Sequence, residues 1–179
     1  MVNFYNQDYP NKKHPFLFKK IFKKLSDAFH EESLNAIKID TSKLRTYSLF
    51  KSYIGLEPYL LDIKKFEMRS KITKFRLSNH NLRIETGRHE KIDREERFCP
   101  FCPQKVEDEK HFLLVCPIYC HLRQIHLSPL IATIDGYETF SASDKMKSLM
   151  SSVDFHLYKF ISNGMDLRNF LTSKPRNRD

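Results

Sequence analysis

Residues 98–117 read FCPFCPQKVEDEKHFLLVCP. Within them Cys99, Cys102, His111 and Cys116 spell C-x2-C-x8-H-x4-C. Two thiolates with two residues between them make a knuckle whose sulfurs converge on one metal position. The second pair, with four residues between, is expected on one face of a helical turn. Three sulfurs and one imidazole complete a tetrahedral zinc shell, and no position is left for a reacting water. The expected cofactor is therefore one structural Zn2+, not a hydrolytic ion. Its binding would count toward folding, on the order of 10 kcal/mol as in zinc-finger peptides. Phe98 and Phe101 are placed to cover the knuckle, and Phe112, Leu113 and Leu114 to tie the helical half to a core. The competing reading is a set of buried free thiols whose spacing is accidental. Cys120 reads as a small core residue outside the ligand set, and the other histidines have no partner at ligand spacing.

Outward from the cluster the chain reads as helices. Phe18, Ile21, Phe22, Leu25 and Phe29 follow 3/4 spacing, with Lys19, Lys20, Lys23 and Lys24 between them. This predicts an amphipathic, cationic helix over 16–37. Asp40-Thr41-Ser42 offers an N-cap for a second helix carrying Leu44, Tyr47, Leu49, Phe50 and Tyr53, stopped by Gly55. Pro58 suits a first helical position, so a third helix is expected to about Leu77 with Leu61, Met68, Ile72 and Phe75 inward. Residues 78–98 are polar and aperiodic, and read as an irregular arm. A helix is expected from about Pro117 to Leu127. Two more follow, the first capped by Ser141 or Ser143 and carrying Met146, Leu149 and Met150, the second running from about Asp154 to Leu171 with Leu157, Tyr158, Ile161 and Met165. The expected fold class is mainly α, a small helical domain organised around one structural CCHC zinc site. The segments are 1–40, a lead and the cationic helix; 41–127, the zinc-binding region; 128–172, the C-terminal helices; and 173–179, a disordered tail.

The composition is globular, 40% hydrophobic and 13% aromatic, and four glycines with one Asp-Gly pair argue against a hairpin-rich fold. The net charge is +9, which favours an anionic partner, nucleic acid first. Apolar runs are too short to span a bilayer, and the first residues lack the order of a signal peptide. The chain is therefore expected to be intracellular, nuclear or cytoplasmic, with cysteines that serve as thiols or metal ligands.

Three stretches carry a family likeness: KLRTYSLFKSYIGLEPYL, then KITKFRLSNHNLRIETGRHEKIDREERFCPFC, then VEDEKHFLLVCPIYCHLR. Together, from Lys43 to Arg123, they resemble the C-terminal zinc-binding segment that follows the polymerase domain in non-LTR (LINE-type) retrotransposon reverse transcriptases. The resemblance implies the same four ligands and a module that helps a polymerase engage RNA or DNA. A polymerase's Asp-Asp metal turn is lacking, as are a Gly-rich phosphate loop, a nucleophile elbow and HExxH, so no catalytic activity and no small-molecule substrate are expected. The chain resembles an isolated tail of a retroelement reading frame.

Two function classes follow. The first is nucleic-acid binding, to RNA or DNA. Between Lys64 and Arg97 eleven Lys or Arg stand against six Asp or Glu, and Lys71, Lys74, Arg76, Arg83 and Arg88 are the candidate contacts. The loop PQKVEDEK, with three acids, is expected to leave phosphate contact to the helix and the arm. The alternative is a protein-interaction or structural module with a partner on helix 16–37, or a non-functional fragment. The ordinary reading of that helix turns its apolar face inward. A membrane-surface role ranks last because Asp27, Glu31 and Glu32 follow the lysines.

Overall fold

The computed structural model describes residues 15–39, 44–152 and 154–173. The expected lead before Pro15, the Asp40-Thr41-Ser42 cap and the tail beyond Ser173 lie outside the described residues. As expected the chain is mainly helical, and the described residues hold one two-stranded antiparallel hairpin.

Helix α1 spans Pro15–Ile39. Its apolar stripe is not turned inward, contrary to the ordinary reading: Phe22, Leu25 and Phe29 are 76%, 65% and 63% exposed. A separate strip of Ser26, His30, Ser33 and Ile37 is half-buried instead, and α1 touches the short helix α2, Arg45–Phe50.

Helix α2 ends at Phe50 and does not run on to Gly55. Lys51 takes an extended ψ of 117°, which buries its ammonium over the rings of Tyr47 and Tyr53, 5.2 and 4.8 Å from their centroids. There it pairs with Glu57. A buried ammonium needs such partners, and continuing the helix would have left it without them.

The helix expected over 58–77 is two. One turn, α3 (Tyr59–Asp62), is followed by a break and then α4, Phe66–Arg76. Arg69 bridges the break, donating to the carbonyls of Leu60 (3.4 Å) and Ile63 (3.2 Å) that the end of α3 leaves open. The expected arm is also more ordered than its sequence suggests, since Arg83–His89 forms helix α5 and Arg94–Glu96 a 3₁₀ turn.

Strands β1 (Phe98–Cys99) and β2 (Cys102–Val106) follow, and then a π-turn, His111–Val115. From Pro117 the chain stays helical to Ile131, passing through a 3₁₀ turn, α6 (Cys120–Leu122), a second π-turn (Arg123–Leu127) and α7 (Ser128–Ile131). Helix α8 (Ala142–Ser151) is capped by Ser141, whose hydroxyl accepts from the Asp144 N–H. Helix α9 runs Phe155–Ser173.

One core joins these elements. Phe112 is wholly buried, with the rings of Phe75, Tyr119 and Phe160 at 5.3, 4.6 and 5.5 Å. Leu149, Met150, Leu157 and Ile161 close around them. The core thus draws on both the 41–127 and the 128–172 segments. Helix α9 comes in closely enough that Gly164 lies against Phe112, where an added Cβ would sit 2.7 Å from Cζ. No helix of the described residues is long and apolar enough to cross a membrane.

Candidate metal centre

The hairpin builds the first half of the site. Cys99 pairs with Cys102 across a two-residue turn, Pro100-Phe101, which brings both thiols to one side. The strand ladder is extended by the Glu107 N–H donating to the Arg97 carbonyl at 2.9 Å, and the Glu107 carbonyl accepts from Ile84 N–H at 3.0 Å. These bonds hold the hairpin against α5.

The second half is the π-turn. Asp108 Oδ1 caps it by accepting from His111 N–H at 2.7 Å. The Cys116 N–H then donates to the His111 carbonyl at 2.8 Å, an i to i−5 bond. This corrects the expectation of an ordinary helical turn. At 3.6 residues per turn, positions i and i+5 point about 140° apart. The wider π-turn returns the fifth residue to the same side, and such turns recur at functional sites.

Cys99, Cys102, His111 and Cys116 are all buried, and their ligand atoms lie within 4.8 Å of one another. Cys116 Sγ is 3.9 Å from Cys99 Sγ and 3.6 Å from Cys102 Sγ. A disulfide would require about 2.05 Å. A tetrahedral ion about 2.3 Å from each thiolate sets its sulfurs about 3.8 Å apart. The observed separations match the second geometry. His111 Nε2 is buried without a hydrogen-bond partner, an imidazole nitrogen that has left water with no protein replacement. The four side chains therefore fit one metal ion.

The electrostatics point the same way. The Cys99 thiol is lowered to about 4, chiefly because its thiolate accepts a hydrogen bond from Cys116, with His111 adding to the effect. That charge in turn pushes the Cys116 thiol up, and burial raises Cys102. The cluster carries one negative charge readily and resists a second, a repulsion that a divalent cation at its centre would remove. Arg123 reinforces the site by donating to the Cys116 carbonyl at 2.6 Å. Cys120 is exposed and separate from the four.

The acids of the loop between the ligand pairs were missed as structural residues by the sequence reading. Glu107 and Glu109 are 1% and 2% exposed. Glu107 accepts from Nε and Nη2 of Arg168 on α9 at 2.7 Å each, and from the Arg83 N–H at 2.6 Å. Glu109 receives Arg45 from α2 at 2.6 and 3.1 Å, and His80 Nε2 at 2.9 Å. Burial alone would raise the Glu109 carboxyl, but His80 and Arg45 outweigh it and hold it at about 2. The available signal was the alternation Glu107-Asp108-Glu109, which turns the outer two to one side, together with a lone Arg168 amid the apolar positions of α9.

The proposed nucleic-acid contacts fall into three places. Lys71 and Lys74 line one groove of about 480 Å³ between α4 and α9, with Asn79, Asn81 and Asn169. Lys74 is exposed, while Lys71 pairs with Asp166 at 2.6 Å on the surface. Arg83 and Arg88 stand on α5, paired with Glu90 and Glu85 at 2.9 Å each. Arg76 is 6% exposed. It donates to Glu57 at 2.8 Å and to the Met150 carbonyl at 3.0 Å, with its guanidinium 4.0 Å from the Phe50 ring centre. It belongs to the interior of the fold.

No family model, no curated protein and no solved structure matches this chain.

Proposed function

We propose that the chain is a non-catalytic zinc module that binds nucleic acid, related to the segment that follows the polymerase domain in non-LTR retrotransposon reverse transcriptases. The observation that carries the metal half is the closed donor set, three buried thiols at tetrahedral spacing with an unpartnered buried imidazole nitrogen. Zinc is the ion suited to three thiolates and one imidazole, since it prefers four soft or borderline donors in a tetrahedron and has no redox chemistry to protect against. With all four positions taken by protein the ion is a scaffold.

The nucleic-acid half rests on the net charge of +9 and on the groove that Lys71 and Lys74 share with three asparagines. Lysines supply phosphate contact, and asparagine amides supply donors and acceptors for base edges or sugar hydroxyls. Arg76 is left out of this surface, and Arg83 and Arg88 contribute only if they exchange their carboxylate partners for phosphate. The acidic loop does not repel the ligand from the groove, because Glu107 and Glu109 are buried, paired with Arg168 and Arg45, and Glu109 also bonds His80.

The test has two parts. Native mass spectrometry should find one zinc per chain, lost in Cys99→Ser. Fluorescence anisotropy with labelled single-stranded RNA and DNA should then give affinities that fall steeply with salt. The paired change Lys71→Gln and Lys74→Gln should weaken binding and make the slope of log K against log salt shallower by about 1.4. Absence of zinc would remove the first half of the proposal. Binding unaltered by the lysine changes would remove the groove.

A further inference from the structure

The groove between α4 and α9 has a buried floor and a polar rim. Met165 and His80, both buried, line its floor. Both ring nitrogens of His80 are already engaged, Nε2 with Glu109 at 2.9 Å and Nδ1 by the Leu82 N–H at 3.4 Å. The floor therefore offers a ligand an apolar thioether, a soft surface that suits an aromatic ring. The volume of about 480 Å³ falls within the roughly 300–1,000 Å³ of small-ligand sites.

The rim supplies the polarity. Asn81 Nδ2 donates to Asn169 Oδ1, which ties the segment after α4 to α9. Both residues are exposed, and the tie spends one N–H of the first and one lone pair of the second. It leaves a carbonyl acceptor on Asn81 and an amide donor on Asn169, on two amides that are joined to each other. Lys74 is exposed on the α4 side of the same groove, and Lys71 shares its charge with Asp166 at 2.6 Å. A neighbouring acceptor and donor, with a cation beside them, match the base edge and the phosphate of one nucleotide.

The same amide pair says which nucleotide. Each of the four bases carries a donor and an acceptor side by side on its Watson–Crick edge. In a duplex those atoms are spent on the opposite strand, and a stacked base cannot enter a concave floor. An unpaired base brings them free, whichever base it is. The groove is thus built to read pairing state and not base identity.

We propose that this groove holds one unpaired nucleotide of a nucleic-acid strand, its base over Met165 and against the Asn81 and Asn169 amides, its phosphate on Lys74. The proposal rests on the nucleic-acid reading of the groove and narrows it to single-stranded, base-tolerant binding. A strand held by charge alone would use the lysines and leave the amide pair and the floor idle.

Fluorescence anisotropy of the metal-replete full chain tests it, with labelled probes of equal length at one salt concentration. The probes are an oligoadenylate, an oligouridylate, the duplex of the two, and an abasic strand. The two single strands should bind within about threefold of each other, and the abasic strand and the duplex about tenfold more weakly, although the duplex has the denser charge. Asn81→Ala with Asn169→Ala should bring both single strands down to the level of the abasic one, with salt slope and circular dichroism unchanged. Asn169→Ala alone, at an exposed position, should take part of the same step. Lys74→Gln should instead weaken every probe and make the salt slope shallower. Adenosine monophosphate at the same nucleotide concentration should fail to displace the single strands, and equal competition by it would overturn the strand as the ligand. Equal binding of all probes, or a preference for the duplex, overturns the proposal and leaves the nucleic-acid reading standing. So does a preference for single strands that the asparagine changes leave intact. Absence of binding to every probe removes that reading, and the proposal with it.

Discussion

Glu109 is a buried carboxylate whose charge is tolerated because Arg45 and His80 reach it from two different parts of the chain. Its carboxyl sits at about 2, where the ordinary value is 4.5. A carboxyl lowered by folding contributes stability that is fully present above the unfolded value and is lost as pH falls through the folded one. Here that window runs from about 4.5 down to about 2, and the contribution is on the order of 3 kcal/mol. Glu109→Gln should therefore cost most near neutral pH, and the gap to wild type should close as pH drops through the window. Urea unfolding of both proteins along a pH series measures it. Both carry the same metal ligands, so acid release of metal affects the pair alike and the difference isolates the carboxylate. A gap that does not change with pH would mean that His80 and Arg45 hold the amide as well as the acid. The two glutamates of PQKVEDEK also show why residue chemistry misled the sequence reading. Acidic residues in a short polar loop are by default solvated, and only the partners, which lie 64 residues upstream and 61 downstream, make burial affordable.

At the scale of elements, what was legible followed from local pattern. The helices over 16–37 and at the last two positions, the Ser141 cap and the C-x2-C knuckle are set by neighbours a few residues apart and form as expected, although the apolar stripe of the first faces outward. What was not legible depends on distant contacts. The break between α3 and α4 is held by Arg69, α5 packs on the hairpin, and the His111–Val115 segment widens into a π-turn that lets His111 and the following Cys116 face the same point. The spacing x4 held that last piece of information, since five positions along an α-helix do not share a face. Closeness between elements also decides what α9 will accept. Gly164 lies where any Cβ meets the ring of Phe112, and Phe112 is hemmed in by Phe75, Tyr119 and Phe160. Gly164→Ala gains helix propensity of about 1 kcal/mol, but overpacking costs typically about 1–3 kcal/mol, so a net loss is expected. Phe112→Leu frees that space, and in its background Gly164→Ala should become neutral or stabilising. A thermal-unfolding double-mutant cycle reads the coupling. Additive effects would place the close approach elsewhere.

At the scale of the whole molecule, the metal centre and the core are one structure. His111 belongs to the Cys3His group, and the next residue, Phe112, is the ring on which α4, α9 and the 3₁₀ turn at Pro117–Tyr119 converge. Glu107, in the loop between the ligand pairs, is tied to α9 through Arg168, and Glu109 to α2 through Arg45. Without a metal the site is three crowded thiols around one thiolate charge, at the point where these ties meet. The consequence should reach far beyond the hairpin. Hydrogen exchange followed by mass spectrometry after chelation should show α9 amides from Leu157 to Ile161 losing protection together with those of Cys99 to Val106, and Cys102→Ser should reproduce the pattern without a chelator. Helix α1, which lies outside the core, should exchange at the same rate with or without metal, and serves as the internal control. If α9 kept its protection while the hairpin opened, the core would be self-sufficient and the metal would order only its own loop. Joint loss is the expected result, because the Cys3His side chains and the core residues Phe112, Leu113 and Tyr119 share one short segment.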